Sequence, residues 1–304
     1  MGNNLLCLGS IKCFTGAIMT LGEQTKQDWL RFLELKQQVF SGLGILKWRE
    51  NLKWRDEFES EDFQALRDCV CCEILKSGLG GLNHLFLYLA DMYCYAAAAE
   101  AIAREYEQQS NIKMTDFWRY RIRNYHFSDL APRYVSLLDH AAYFVASLTK
   151  GELVKGTPLE KKGTMYYGTF RPILCESLHS SHKIGYLTQD DRKIMYDFLR
   201  SMDIEPKNPG LNKIVRNYRQ DMTHLFLPGI DHITQTIEPQ KKKNDPDEPN
   251  YLMRGVPKYQ FKELEEFAKT VIPMIDSSFE LLFKTGVMKS CLKEEPEKTS
   301  THDE

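Results

Sequence analysis

The chain has 304 residues, enough for one large domain or two ordinary domains of about 150 residues, which excludes a small scaffold held together by disulfides. It carries 40 Lys and Arg against 42 Asp and Glu, so its net charge of -2 predicts no overall attraction to nucleic acid or to an anionic membrane. Hydrophobic residues make up 42% of the chain and aromatic residues 12%, which excludes a disordered or fibrous protein.

The amino-terminal third has the pattern of amphipathic helices. Apolar residues recur at three- and four-residue intervals over Gln27–Leu46 and again over Glu61–Ser77. The glycines of Gly78–Gly81 predict a break between helices. Leu82–Glu107 is apolar almost all round, which predicts a helix at the centre of a bundle. We expect residues 1–20 to contribute little to the fold.

The rest of the chain continues this pattern. Four further helices are predicted, over Pro132–Leu148, Asp190–Met202, Asn212–Leu227 and Tyr259–Lys284. We expect Pro273 to kink the last helix, and Thr149–Gly163 to be a loop. No segment alternates apolar and polar residues over the length of a strand, so the fold class is predicted to be all-α, a helical bundle without a substantial sheet.

Two segments have the composition of solvated chain. Pro239–Asn250 combines three prolines with adjacent charge blocks of opposite sign and no apolar residue, which predicts a mobile loop. Lys293–Glu304 is similar, and we expect a flexible tail there.

The eight cysteines show no repeated C-x-x-C pair, so buried, reduced thiols are expected rather than disulfides or a zinc site. No run approaches the length of about 18 apolar residues that a membrane span requires. These observations favour a cytoplasmic protein with no membrane partner, and nothing in the sequence calls for a cofactor.

The stretch Leu211–His232, LNKIVRNYRQDMTHLFLPGIDH, is the most informative about function. On a helical wheel at about 100° per residue, an apolar stripe lies on one side and polar residues occupy the other faces. The predicted stripe consists of Leu211, Ile214, Tyr218, Met222 and Leu225, and the polar residues are Arg216, Asn217, Gln220, Thr223 and His224. Arg219 lies at the border of the stripe, about 140° from His224, so the two would flank a site rather than touch.

The string RQDMTH, from Arg219 to His224, resembles the R-x4-6-H signature of the HEPN superfamily (higher eukaryotes and prokaryotes nucleotide-binding). In that signature a polar residue follows the arginine, and Gln220 fills this place. Arg216 and Asn217 supply the commoner Arg-Asn pair one turn earlier, so two registers stay open. The sequel through Asp231 is also similar to the ends of bacterial HEPN-like proteins.

This resemblance implies an α-helical, HEPN-like bundle over residues 81–290, preceded by an amino-terminal helical extension over 1–80 and followed by a flexible tail over 291–304. Members often form homodimers in which the two signatures face each other across the interface. Active members are metal-independent RNases, others only bind nucleic acid, and toxin–antitoxin or defence systems are the implied setting.

The resemblance also assigns roles. His224 would be the general acid or base, because an imidazole titrates near neutral pH. Arg219, or Arg216 in the other register, would clamp a phosphate with its guanidinium fork. Asn217 and Gln220 would orient these groups. The expected partner is RNA or a nucleotide.

Another interpretation of this helix stays open. His224 lies in the last turn before Pro228, where a cationic imidazole is stabilised by the helix dipole by about 0.3 to 1 kcal/mol, and the arginines can simply be solvated. The protein would then be a non-catalytic helical module that binds a protein partner. Such a module would have no affinity for anions or nucleic acid.

A second stretch rich in Arg and aromatic residues is WRYRIRNYH, from Trp118 to His126. Basic residues between aromatic ones suit phosphate contact combined with base stacking, so Arg121 and Arg123 are candidate RNA-guiding residues. The same alternation also fits an exposed connector before Pro132.

One fragment is typical of metal sites. Glu176 and His179 form an E-x-x-H pair, His182 follows one turn later, and Glu100 is the obvious companion. Di-iron bundles need this pair twice, and no second copy is present. A metal carboxylate protein is therefore a third hypothesis, and it predicts metal in the purified sample.

Overall fold

The computed structural model describes residues 21–45, 70–162, 165–224, 230–231, 238–242, 245–252 and 257–285. Within these ranges the protein is almost entirely helical, which confirms the predicted all-α class. The helices are α1 (Leu21–Leu43), α2 (Val70–Gln108), α3 (Ile112–Asp116), α4 (Asn124–Ser128), α5 (Leu130–Leu148), α6 (Pro158–Lys162), α7 (Tyr167–Ser177), α8 (Gln189–Met202), α9 (Pro209–His224) and α10 (Phe261–Lys284). A π-helix, Phe117–Arg123, connects α3 to α4, and a 3-10 turn, Glu152–Val154, lies between α5 and α6.

Helix α2 is the centre of the bundle, as its apolar sequence predicts. It packs against α1 on one side, α5 on another and the π-helix near its carboxyl end. Phe86, Leu89 and Cys94 on this helix are completely buried. By length and composition Glu73–Gln108 would also suit a membrane span, but 56% of its most apolar 18-residue stretch is buried inside the protein. The packed helices account for that burial.

The predicted helix break at Gly78–Gly81 is wrong, because α2 continues through these residues. A Cβ atom added at Gly78 would lie 2.4 Å from Cδ2 of Phe144 on α5. Glycine therefore allows the two helices to approach closely at this point. Gly80 and Gly81 have no atom within 4 Å of an added Cβ. α2 crosses the 80/81 position without interruption, and the division of the chain into domains stays a prediction.

Helix α1 is fixed to α2 by polar contacts around an aromatic cluster. Tyr106 donates its hydroxyl proton to Asp28 over 2.7 Å, and Arg31 binds Glu105 through two nitrogens at 2.6 and 3.1 Å. Phe32 on the same helix is buried and packs on the buried Trp118. α1 is therefore an integral part of the bundle.

A buried arginine organises the chain between α7 and α8. The Arg192 side chain is inaccessible, and its guanidinium donates to the carbonyl oxygens of Ser177, Ser180, His182 and Leu187 over 2.6 to 3.1 Å. Thr188 and Asp191 form a capping box that begins α8. Gly185 in the same loop has a φ of 59° and lies against the backbone of Thr149.

The other sequence predictions have mixed outcomes. Pro132 lies in the first turn of α5, and α8 and α10 match their predicted positions closely. The predicted loop over 149–163 contains the 3-10 turn and α6. Residues 1–20, Glu61–Cys69, Leu225–Leu227 and Lys293–Glu304 lie outside the described residues.

The described residues of Pro239–Asn250 form two antiparallel strands rather than the predicted loop. Its strands are β1 (Glu238–Lys242) and β2 (Asp245–Leu252), with Glu238 opposite Leu252 and a register shift between Gln240 and Lys242. Each strand of a two-stranded sheet is an edge, so a proline nitrogen can face away from the ladder. The prolines therefore did not exclude strands here.

Candidate anion-binding pocket

The polar face of α9 opens onto a pocket of about 540 Å³ between α5, the start of α7 and α9. We call it the arginine pocket. Its walls are formed from α5 by Tyr134, Val135, Leu138 and Asp139, from the start of α7 by Tyr166, Tyr167, Gly168 and Thr169, and from α9 by Asn212, Val215, Arg216, Arg219 and Gln220. Such a volume accommodates a small ligand or one or two nucleotide units.

The local sequence fixes the orientation of α9. Asn208 accepts a hydrogen bond from the Leu211 N–H over 3.1 Å, which satisfies one free donor at the start of the helix. Val215 and Tyr218 are completely buried and hold the opposite face against the core. Arg216 and Arg219 are three residues apart, so they project from one side of the helix into the same pocket.

Arg216 is bound to its neighbours only weakly. Its Nε donates to Asn212 over 3.2 Å, and its Nη2 lies 3.6 Å from a carboxylate oxygen of Glu205. The Arg216 and Glu205 side chains are 54% and 53% exposed. Exposed ion pairs contribute only about 0 to 1 kcal/mol, so a ligand anion can displace Glu205 from this guanidinium.

Asp139 is the acidic side chain of the pocket. Its Oδ1 accepts the backbone N–H of Tyr167 over 2.8 Å and so caps the amino terminus of α7. Burial raises the pKa of Asp139 above its ordinary value, opposed by the Tyr167 hydrogen bond and by the charges of Arg219, His140 and Arg216. Two cationic groups and one carboxylate therefore influence one another electrostatically in this pocket.

The structure brings together only some of the residues predicted from the signature. Arg216, Arg219 and Gln220 line the arginine pocket. Asn217 is exposed on α9 outside the pocket lining. His224 is the last residue of α9, and its side chain is not among those that the structure describes.

The second basic stretch has a different environment from the one predicted. Arg121 is exposed, but Arg123 is 1% exposed and lies inside the protein. Its Nη1 lies 2.6 Å from Glu100, its Nη2 lies 2.7 Å from Asp231, and its guanidinium lies 4.4 Å from the ring centre of Phe261. Neither an exposed connector nor a phosphate contact by Arg123 fits this placement.

Arg123 instead joins three parts of the fold: α2, the π-helix and the start of α10. Arg119 from the same π-helix binds Glu107 at 2.9 Å and Glu100 at 3.4 Å. Arg119, Arg123 and Glu100 line a second pocket of about 330 Å³. Since both arginines already bind carboxylates of the protein, we interpret the residues around this pocket as a structural ion network.

Sequence reasoning missed Asp139, Tyr166 and Thr169. They lie on α5 and at the start of α7, and no sequence motif connects them to α9.

The described part of the chain contains no cluster of metal-ligating side chains that would support the metal hypothesis. No group of three or more His, Cys, Asp or Glu side chains there is arranged to hold a metal ion. Glu100, the proposed companion of the E-x-x-H pair, is bound by Arg123 and Arg119. Cys94 and Cys175 are free thiols.

The chain matches no family model, no curated protein and no solved structure. The chemistry assigned to the arginine pocket therefore rests on the residues that line it.

Proposed function

We propose that the protein is a HEPN-like RNA-binding protein that holds an RNA phosphate in the arginine pocket, between Arg216 and Arg219. The observation that carries this proposal is the opening of both arginines and Gln220 onto one concave surface. A guanidinium offers two parallel donors to phosphate oxygens, and Gln220 adds a neutral donor.

Aromatic rings near the pocket favour a nucleic acid over a simple anion. Tyr166 lines the pocket and is 51% exposed, so its ring is accessible to a base. Tyr143 is exposed on α5, one helical turn after Asp139. Unpaired bases stack on such rings, which contributes about 1 to 3 kcal/mol per base.

The proposal extends to metal-independent RNA cleavage with His224 as the general acid or base. His224 ends the helix that carries Arg219, and the resemblance of RQDMTH to the HEPN signature supports this role. In a homodimer the two signatures would face each other, which removes the need for both groups to share one face of α9. A cytoplasmic toxin–antitoxin or defence system is the proposed setting.

Binding is tested by fluorescence anisotropy with a labelled single-stranded RNA. We expect Arg216→Ala and Arg219→Ala each to weaken binding by about 10- to 100-fold, because a hydrogen bond to a charged group contributes about 1.5 to 3 kcal/mol. Lys213→Ala is the matched control, since Lys213 is an exposed cation of α9 outside the pocket lining. Equal losses in all three variants would show that only the general charge of α9 matters.

Cleavage is tested separately, with RNA and chelator in the presence of wild-type protein or His224→Ala. We expect the variant to bind RNA but not to cleave it. If both proteins cleave equally, His224 has no catalytic role. If neither cleaves while wild type binds RNA, the function reduces to RNA binding.

The exposed apolar face of α1 favours a second candidate, a helical module that binds a protein partner. Trp29, Leu30 and Leu33 are 39%, 54% and 51% exposed. This candidate predicts that Leu30→Glu with Leu33→Glu abolishes partner binding, measured by sedimentation velocity with the isolated partner. It also predicts no affinity of the protein for RNA, which contradicts the first candidate.

A further inference from the structure

Asp139 occupies an unexpected place for a residue in an anion-binding pocket. It is the acidic side chain among the described residues that line the arginine pocket, together with Arg216 and Arg219. A carboxylate repels a phosphate, and the repulsion grows as water is excluded. An acidic group is therefore unfavourable here unless the ligand also brings a hydrogen-bond donor.

The two oxygens of Asp139 are in different situations. Oδ1 accepts the Tyr167 N–H over 2.8 Å, which fixes the carboxylate against the start of α7. No described group donates to Oδ2. The side chain is half-buried, so a fixed acceptor with a free oxygen remains at the wall of the pocket.

RNA supplies a donor close to its phosphate, the ribose 2′-hydroxyl. A carboxylate that accepts a ribose hydroxyl proton is a common mode of nucleotide recognition. The 2′-hydroxyl is also the group by which a protein distinguishes RNA from DNA. The arginines and Asp139 lie on facing helices of one pocket, as recognition of a phosphate and a neighbouring sugar requires.

We propose that Asp139 is the specificity-determining residue of the arginine pocket and selects RNA by accepting the 2′-hydroxyl proton at Oδ2. This rests on the proposed RNA-binding function. Asp139 is a recognition residue here and takes no part in bond cleavage.

The test uses three fluorescein-labelled oligouridylates of equal length that carry 2′-hydroxyl, 2′-fluoro or 2′-hydrogen groups. The 2′-fluoro sugar keeps the pucker of ribose but has no proton to donate. We expect wild type to bind the 2′-hydroxyl oligonucleotide about 10- to 100-fold more tightly than either analogue, as a hydrogen bond to a charged acceptor predicts.

Asp139→Asn is the informative variant. Its amide oxygen can still accept the Tyr167 N–H, while its NH2 group then faces the pocket and cannot accept a hydroxyl proton. We expect the ratio of 2′-hydroxyl to 2′-fluoro affinity to fall to within about threefold. The affinity for the two analogues should rise because a negative charge is removed, and the affinity for the 2′-hydroxyl oligonucleotide should fall because its hydrogen bond is lost. The thermal midpoint, measured in parallel, reports whether the cap on α7 is retained.

A purely structural role for Asp139 predicts an unchanged ratio, and that result would overturn the inference. Equal wild-type affinity for the three oligonucleotides would overturn it as well, while leaving the proposed RNA binding intact. Failure of wild type to bind any of them would overturn the proposed function and the role of Asp139 together. Asp139→Glu, which moves the carboxylate by one methylene, is expected to lower the ratio less than Asp139→Asn.

Discussion

Replacing Gly78 by alanine tests whether the close approach of α2 and α5 requires a glycine. The new Cβ would lie 2.4 Å from Cδ2 and 3.1 Å from Cε2 of Phe144. Carbon atoms in favourable contact are about 3.5 to 4.0 Å apart, so the ring or the helix must move by about 1 Å. Phe144 is 2% exposed and enclosed by the core, which leaves it little space to move.

The expected change in the free energy of unfolding follows from two opposing contributions. Overpacking a well-packed core typically costs about 1 to 3 kcal/mol. Replacement of Gly by Ala within a helix stabilises it by about 1 kcal/mol. We therefore expect Gly78→Ala to lower the free energy of unfolding by about 1 kcal/mol. Gly80→Ala and Gly81→Ala should raise it by about 1 kcal/mol, since no atom lies within 4 Å of either added Cβ.

The assay is urea unfolding followed by circular dichroism, with the three variants compared at equal m-value. The difference between Gly78→Ala and its controls isolates the steric contribution, because helix propensity is common to all three. If Gly78→Ala is as stable as Gly80→Ala, the packing of Phe144 on Gly78 does not limit the approach of the two helices.

Three further predictions concern the loop before α8, the ion network and the aromatic cluster. Gly185→Ala should lower the thermal midpoint more than Gly151→Ala. Both glycines have a positive φ (59° and 72°), but only a Cβ at Gly185 would collide with backbone, 2.4 Å from the carbonyl carbon of Thr149, and equal losses would contradict this prediction. Arg123→Ala should cost about 3 kcal/mol in urea unfolding because it removes the shortest ion pair of the buried Glu100, which keeps only its longer contacts with Arg104 and Arg119. Adding Glu100→Gln should recover part of the loss, whereas no recovery would refute the coupling. Burial lowers the pKa of His126 below 6.5 in the folded protein, so the unfolded chain binds more protons and the free energy of unfolding should fall as the pH drops through and below 6.5. His126→Gln should flatten this part of the stability–pH curve, and an unchanged slope would contradict the prediction.

Local periodicity predicted most of the helices because it depends only on neighbouring residues. The predicted helix Asp190–Met202 is observed as Gln189–Met202. The error at Gly78 has a tertiary cause, since the role of that glycine is set by Phe144, which is distant in sequence. The pairing of 238–242 with 245–252 was missed because charged residues and prolines obscure pairing that depends on the backbone.

Of the residues that line the arginine pocket, the sequence predicted only residues on α9. Arg216, Arg219 and Gln220 could be found from the sequence because all three belong to the Arg/His stretch that resembles the HEPN signature on one helix. Asp139 and Tyr166 come from other elements, and a single sequence contains no signal for such contacts.

The two basic stretches of the chain differ in how their charges are balanced, and this difference determines which one is available to a polyanion. Arg123 and Glu100 are 1% and 10% exposed at a distance of 2.6 Å, so a ligand would have to separate a buried pair and leave Glu100 with only its longer contacts to Arg104 and Arg119. Breaking such a pair costs about 3 to 5 kcal/mol, more than the 1.5 to 3 kcal/mol that a hydrogen bond to a charged group returns. At Arg216 the balance is reversed, because the exposed pair with Glu205, 3.6 Å apart, contributes at most about 1 kcal/mol. Arg119 and Arg123 of the π-helix are therefore committed to the fold, whereas Arg216 can exchange its carboxylate for a phosphate.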